Sequence, residues 1–509
     1  MKRKFLALVL IICLCFSVSA CSAAPKNEYN GDVDGMYDAA KPGVAEGEDV
    51  EEDVGTNPNY NYEEVKENGF INPAEKPDST FSLDRNTASY TYARKIINQN
   101  GKVATGSVRI EEYVNYFNYD YQRPAVGEGL AIGGTLSDCP WNSANKMFAL
   151  SVSAEEISFE NKKQNNIVFL IDTSGSMYGD ERLGLIQQAF TMLTENLADN
   201  DIVSVVTYAS GTRVAAKGMI GSDKVTISNV LQDLSAGGST NGAGGIQLAY
   251  QTAEEFFIEG GNNRVILATD GDFNVGISSK NALAEFIAEK RDSGIWLSVL
   301  GVGMYNTNDT TMKTLAENGN GNYGYLDSLQ EARKLLVQEM GGTLVTVAKD
   351  VKINVNFKPE VVKEYRLIGY ETKMMSMDDF NNEQKDAGEI GSGHTVTAVY
   401  ELVLQDGAEG QFASAEIRYK DPKTNEQKSI SENFATEFML ASQVSEDAVF
   451  IGCVIEFGLI LRNSEYRGDA SFNGLISRLE TLECVCGADA DEFKAEFLQI
   501  AKKARSIYG

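Results

Sequence analysis

The chain has 509 residues, with 73 acidic against 45 basic side chains, a net charge of −28 and a 43% hydrophobic content. That length and apolar content are enough for more than one packed domain. So acidic a surface repels phosphate backbones and anionic headgroups, which sets nucleic-acid binding aside, and it gathers divalent cations.

The first twenty residues read as a targeting segment. Lys2, Arg3 and Lys4 precede an apolar stretch from Phe5 to Phe16, and Val18-Ser-Ala-Cys21 closes it. A basic region, an apolar region and small residues in that order make a secretory signal. The ending resembles a bacterial lipobox, which implies a lipid thioether on Cys21 and a chain anchored to the extracytoplasmic face of a bacterial cell membrane. Residues 21–69 carry Glu46, Glu48, Asp49, Glu51, Glu52 and Asp53 with few large aliphatics. Such a composition buries too little surface to order itself and reads as an acidic tether.

Residues 70–160 form an N-terminal α+β module, with helices expected at Thr87–Asn98 and Val108–Phe117, a turn at Asp138–Asn142 and a strand at Met147–Val152. Residues 161–342 alternate strand and helix. Strands are expected at Ile167–Ile171, Ile202–Tyr208, Val265–Thr269, Trp296–Gly301 and Asn322–Leu326. Helices fall near Leu183–Leu197, Val225–Leu234, Gly245–Ile258, Asn281–Arg291, Thr310–Glu317 and Leu329–Met340. In the first of these helices Leu185, Ala189, Leu193 and Leu197 recur every fourth residue beside Ile186 and Phe190, which makes one buried stripe. Strands separated by helices require right-handed crossovers, so the fold class is α/β with a doubly wound, mostly parallel sheet covered on both faces.

Residues 343–509 change pattern. Strands at Leu344–Val347, Val351–Phe357, Glu364–Ile368, Thr395–Leu404 and Ala415–Tyr419 follow one another without helices, and the text turns helical from Glu446 to the end. This is a C-terminal β-rich plus helical domain. Its most apolar stretch, Ala448–Leu461, is too short for a bilayer and carries Glu456, so it reads as a buried helix. Cys139, Cys453, Cys484 and Cys486 allow three disulfide pairings, and Cys484-Val-Cys486 lacks the partners of a zinc site.

Chemistry concentrates in Asn166-Ile-Val-Phe-Leu-Ile-Asp-Thr-Ser-Gly-Ser-Met177, where a β-branched apolar run breaks into Asp172, Ser174 and Ser176. Ligands of open α/β sheets bind at such strand ends. A carboxylate and two hydroxyls are hard oxygen donors, suited to Mg²⁺ rather than to zinc or copper. Ala236-Gly-Gly-Ser-Thr-Asn-Gly-Ala-Gly-Gly245 adds Thr240 on a glycine-rich loop. It lacks a Walker lysine and the dinucleotide glycine spacing, so a nucleotide loop is disfavoured. Ala268-Thr-Asp-Gly-Asp-Phe-Asn-Val-Gly276 brings Asp270 to the same sheet edge, with Asp272 read as a solvated turn residue.

In this order the three segments resemble the metal-ion-dependent adhesion site of the von Willebrand factor type A domain. The resemblance implies that Ser174, Ser176 and Thr240 bind Mg²⁺ (or Mn²⁺ or Ca²⁺), that Asp172 and Asp270 act directly or through water, and that one position stays open for an acidic side chain of a protein partner. Ser79-Thr-Phe-Ser-Leu-Asp-Arg-Asn-Thr-Ala-Ser-Tyr90, Arg109-Ile-Glu-Glu-Tyr-Val-Asn-Tyr-Phe-Asn-Tyr-Asp120, Cys139-Pro-Trp-Asn142, Gly261-Asn-Asn-Arg-Val265 and Ala387-Gly-Glu-Ile-Gly-Ser-Gly-His394 extend it to the YfbK-like family of bacterial lipoproteins. An enzyme is disfavoured. His394 is the only histidine and precedes a strand, no G-x-S-x-G elbow is present, and the carboxylates at the site are needed as ligands rather than as a general base. The alternatives are a metal-independent envelope scaffold and, behind it, a metal-assisted hydrolase.

Overall fold

The computed structural model describes residues 66–83, 86–157, 163–271, 280–303, 309–339, 345–385, 387–422, 424–436 and 445–509. Cys21, the tether up to residue 65 and Asp272 lie outside them.

In chain order the strands are β1 (Asp78–Ser82), β2 (Leu130–Asp138), β3 (Lys146–Ala154), β4 (Asn165–Asp172), β5 (Ile202–Tyr208), β6 (Thr212–Ile220), β7 (Asn262–Thr269), β8 (Ile295–Gly301), β9 (Tyr323–Tyr325), β10 (Thr346–Phe357), β11 (Val362–Ile368), β12 (Gly388–Gly391), β13 (Thr395–Leu404), β14 (Gln411–Lys420) and β15 (Gln427–Ala435). They make three sheets.

The expected doubly wound layer is the sheet β6-β5-β4-β7-β8-β9, parallel throughout except where β6 runs antiparallel to β5. Its apolar strands are continuous because both faces are covered. Along β4, Ile167, Phe169 and Ile171 face the helices Leu183–Glu195 and Lys224–Gln232, and Val168 and Leu170 face the helices Gly242–Glu255, Lys280–Asp292 and Asp309–Asn318. The rings of Phe169 and Phe190 stack with centroids 4.2 Å apart, tying β4 to the helix that follows it. The last helix, Leu329–Arg333, continues as a π turn over Lys334–Gln338.

The remaining strands form two antiparallel sheets, β1-β10-β14-β15 with β12 on the side of β10, and β11-β13-β3-β2. The flanking stretches 70–160 and 343–509, expected as separate modules, are interleaved in them. Phe81 stands opposite Ile353 and Phe148 opposite Tyr400. The physical reason lies in β3, whose two faces are both apolar. Phe148, Leu150 and Val152 enter the core between the two sheets, while Met147 and Ala149 enter a helical core on the other side. A hairpin with two apolar faces cannot stand alone. Strands from beyond residue 345 cover one face. The helices Ala88–Asn98 and Ile110–Val114, together with Glu446–Arg462, Phe472–Leu479 and Glu492–Tyr508, cover the other. The stretch Ala448–Leu461 is a buried helix, with Glu456 paired to Arg478. Cys139, Cys453, Cys484 and Cys486 are all free thiols. Among the described residues no helix is long and apolar enough to cross a membrane.

Candidate metal centre

Strand order reverses around β4, with β5 on one side and β7, later in the chain, on the other. This opens a crevice at the carboxyl ends of β4 and β7. Ile171 pairs with Ala268, so Asp172 and Thr269 end their strands side by side. Asp172 is 0% exposed and held from both strands. Its Oδ1 accepts from the Ser174 N–H at 2.9 Å and its Oδ2 from the Thr269 hydroxyl at 3.0 Å. Burial pushes the Asp172 carboxyl above its ordinary range. The Ser174 donors oppose that rise, and the charge of Asp270 adds to it. Asp270 is 1% exposed.

The turn after β4 is fixed from below by Met177, fully buried in the core of the layer. Above it the Ser174 and Ser176 hydroxyl oxygens lie 3.0 Å apart. The glycine-rich loop docks on this turn through its backbone. Gly237 donates to the Thr173 carbonyl at 2.8 Å, and Gly175 donates to the Gly238 carbonyl at 3.0 Å. Gly238 has φ +88, and a Cβ there would stand 2.5 Å from the Ser210 hydroxyl, so the close approach requires glycine. Asn241 caps the helix Gly242–Glu255 by accepting from the Gly244 N–H at 3.3 Å. Thr240 sits half-buried between the docked glycines and that cap.

Asp172, Ser174 and Ser176 are thus joined by direct hydrogen bonds, and Asp270 follows Thr269, which binds Asp172. The loop carrying Thr240 reaches them through main chain. Among the described residues no group of three or more His, Cys, Asp or Glu side chains could hold a metal, so any ion here depends on a set rich in hydroxyls. Sequence reasoning passes over two contributors. Thr269 is an ordinary strand residue by composition. Arg182 carries a signal, since it caps the positive end of the helix Leu183–Glu195, where a cation is disfavoured. Its guanidinium donates to the Ser176 carbonyl.

Three family models match successive parts of the chain. The family model "von Willebrand factor" matches residues 56–149, "von Willebrand factor type A domain" matches 166–338, and "Uncharacterized protein YfbK, C-terminal" matches 342–414 and 405–507. Uncharacterized protein YfbK of Escherichia coli (strain K12) is 38% identical over 473 residues, covering 88% of this chain and 81% of its own. Among solved structures, a von Willebrand factor type A protein from Catenulispora acidiphila is 13% identical with a TM-score of 0.41, covering 77% of this chain and 98% of its own. The ArnB paralog VWA2 from Sulfolobus acidocaldarius is 15% identical with a TM-score of 0.36, covering 75% of this chain and 99% of its own. A type A domain is a scaffold for protein interaction. With the type A model on the central layer and the E. coli relative alignable along most of the sequence, this chain belongs to the YfbK-like family of von Willebrand factor type A domain proteins.

Proposed function

We propose that this protein is lipid-anchored through Cys21 on the extracytoplasmic face of the membrane and captures a protein partner through a divalent ion, Mg²⁺ or a close substitute such as Mn²⁺ or Ca²⁺. The observation that carries the reading is the 3.0 Å separation of the Ser174 and Ser176 hydroxyls beside two buried carboxylates. Adjacent ligands of an octahedron with metal–oxygen bonds of about 2.1 Å stand about 3.0 Å apart, so the pair has the spacing of one octahedral edge. Asp172, Ser174, Ser176, Thr240 and Asp270 would hold the ion. When bound, it supplies a hard positive centre with room for one more oxygen ligand, which an acidic side chain of the partner provides.

The chain's own part is positioning. Thr269 and the Ser174 N–H orient Asp172, Met177 fixes the turn, and the Gly237 and Gly238 contacts hold the Thr240 loop against it. The buried carboxylates belong to the donor set, which leaves none as a general base, so the protein has no turnover of its own. Capture of partners from native membranes tests the reading. Wild type is expected to retain its partner in Mg²⁺ and lose it in EDTA, and Thr240→Ala to bind weakly in both while melting like wild type. Equal capture under all conditions would return the scaffold alternative. Cys21→Ala is expected to release the protein from the membrane fraction, and unchanged partition with the signal processed would remove the anchor.

A further inference from the structure

We propose that Arg182 is an anion-binding residue at the rim of this centre, the one that makes the ion-loaded site net positive; this rests on the metal reading above. At this residue the sequence breaks a local rule. Arg182 is the N-cap of the thirteen-residue helix Leu183–Glu195, with φ −127 and ψ −101, and accepts no capping hydrogen bond there. A cation opposes the positive end of a helix dipole. Where local preference is violated, a function or a compensating contact is expected.

The side chain reaches back over the site. Its Nη1 donates to the Ser176 carbonyl. Its Nε borders Gly303, just beyond β8: a Cβ at that residue would stand 2.7 Å from Nε and 3.4 Å from the Asp270 Cβ. Gly303 has φ +80, so glycine there both permits the turn and leaves the space that the guanidinium fills. Arg182 therefore stands against the same glycine as one candidate ligand and on the carbonyl of another.

Charge balance gives this placement its meaning. Asp172 and Asp270 together neutralise a dication, so without Arg182 the loaded centre has no excess charge with which to draw an acidic group. The other charges nearby do not supply it. Glu181 is met by Lys95 at 3.2 Å, and Asp180 turns toward the first turn of the helix, 3.4 Å from the Cβ position of Gly184. A protein of net charge −28 repels an acidic partner at long range, and a local positive point is what admits one. Arg182 then acts on the two ligands in opposite directions: it disfavours the dication and favours the carboxylate. A residue that only tied the two loops together would move both affinities the same way.

The test uses the full chain as wild type, Arg182→Gln and Arg182→Lys, with Mg²⁺ affinity read by calorimetry and fluoroacetate binding to the Mg²⁺-loaded protein read by ¹⁹F NMR. Arg182→Gln is expected to bind Mg²⁺ a few-fold more tightly and fluoroacetate about tenfold more weakly, the size of one close charge contact, with a flatter salt dependence. Arg182→Lys is expected to stay near wild type in both. Weakening of both ligands by Arg182→Gln, or unchanged fluoroacetate affinity, overturns the proposal while Mg²⁺ binding by wild type keeps the metal reading standing. Absence of Mg²⁺ binding in wild type overturns both.

Discussion

β4 pairs with β5 and β7, strands that follow it within one unbroken stretch of chain, whereas β1 pairs with β10 and β3 with β13, across the whole central layer. In the layer, all the strands and most of the helices that bury β4 come from residues 163–339, with Ala88 and Tyr92 of the N-terminal helix joining the core on one face. In the surrounding body neither end of the chain completes anything by itself. Loop closure over so long a span costs entropy before any contact repays it, so the body gains its stability only when both ends are in place. The candidate site sits on the part whose strands all come from one stretch of chain.

Excision should separate the two regions most sharply. Residues 163–339 alone are expected to melt cooperatively and to keep their Mg²⁺ response, and residues 345–509 alone to show no cooperative transition by calorimetry. A sharp transition in the latter piece would mean that the C-terminal strands complete their own core.

A smaller effect, confined to the body, is expected at Glu401. Its carboxylate accepts from Trp141 Nε1 at 3.0 Å and Asn145 Nδ2 at 2.6 Å, on the N-terminal side, and pairs with Arg366 at 2.9 Å, on the C-terminal side. Arg366 and Glu401 are each 2% exposed. Glu401→Ala leaves a buried guanidinium unpaired and should cost about 3–5 kcal/mol in denaturant titration, with the Mg²⁺ affinity of the central layer unchanged. A loss below about 1 kcal/mol would show that this bridge does not hold the two ends together.

The same contrast governs what the sequence discloses. Ile202–Tyr208 is legible to the residue because an apolar run buried on both faces has no other reading. β6 is not, since it is a half-exposed edge strand with Arg213, Lys217 and Gly218 along it. β2 is masked by Gly133 and Gly134, although glycine in a strand also marks close approach: a Cβ at 134 would stand 2.7 Å from Phe434. Thr395–Leu404 and Met147–Val152 are both legible as strands, but their pairing is not, because nothing local encodes a contact between distant segments. At the site, Asp172, Ser174 and Ser176 stand out by type and spacing. How they are held, by Thr269 from the neighbouring strand and Met177 from below, depends on the fold.

The smallest effect concerns two adjacent glutamates where the ends of the body meet. Burial, then the charges of Glu371 and Glu112, pushes the Glu111 carboxyl up to about 7. Glu112 is equally buried, yet Lys313 at 2.9 Å and Arg109 outweigh the burial and hold it below its usual range. A carboxyl raised in the folded state binds its proton more tightly there than in the unfolded chain. Its contribution is therefore fully present below about 4.5 and lost as pH rises toward about 7. Glu111→Gln should stabilise the protein by about 1–2 kcal/mol at alkaline pH and leave it unchanged in acid, read from melting curves across pH. Equal shifts at both ends of the range would remove the ionisation from the explanation.

Calorimetric titration of Mg²⁺ into wild type and Asp172→Ala, with melting curves in EDTA to establish that both are folded, tests the metal centre itself. Asp172 is the carboxylate fixed from two strands beside the Ser174 and Ser176 hydroxyls. Wild type is expected to bind one Mg²⁺ per chain and the variant to give no binding heat. Equal Mg²⁺ affinity in the two folded proteins would contradict the metal centre, and with it the capture of a partner through an ion.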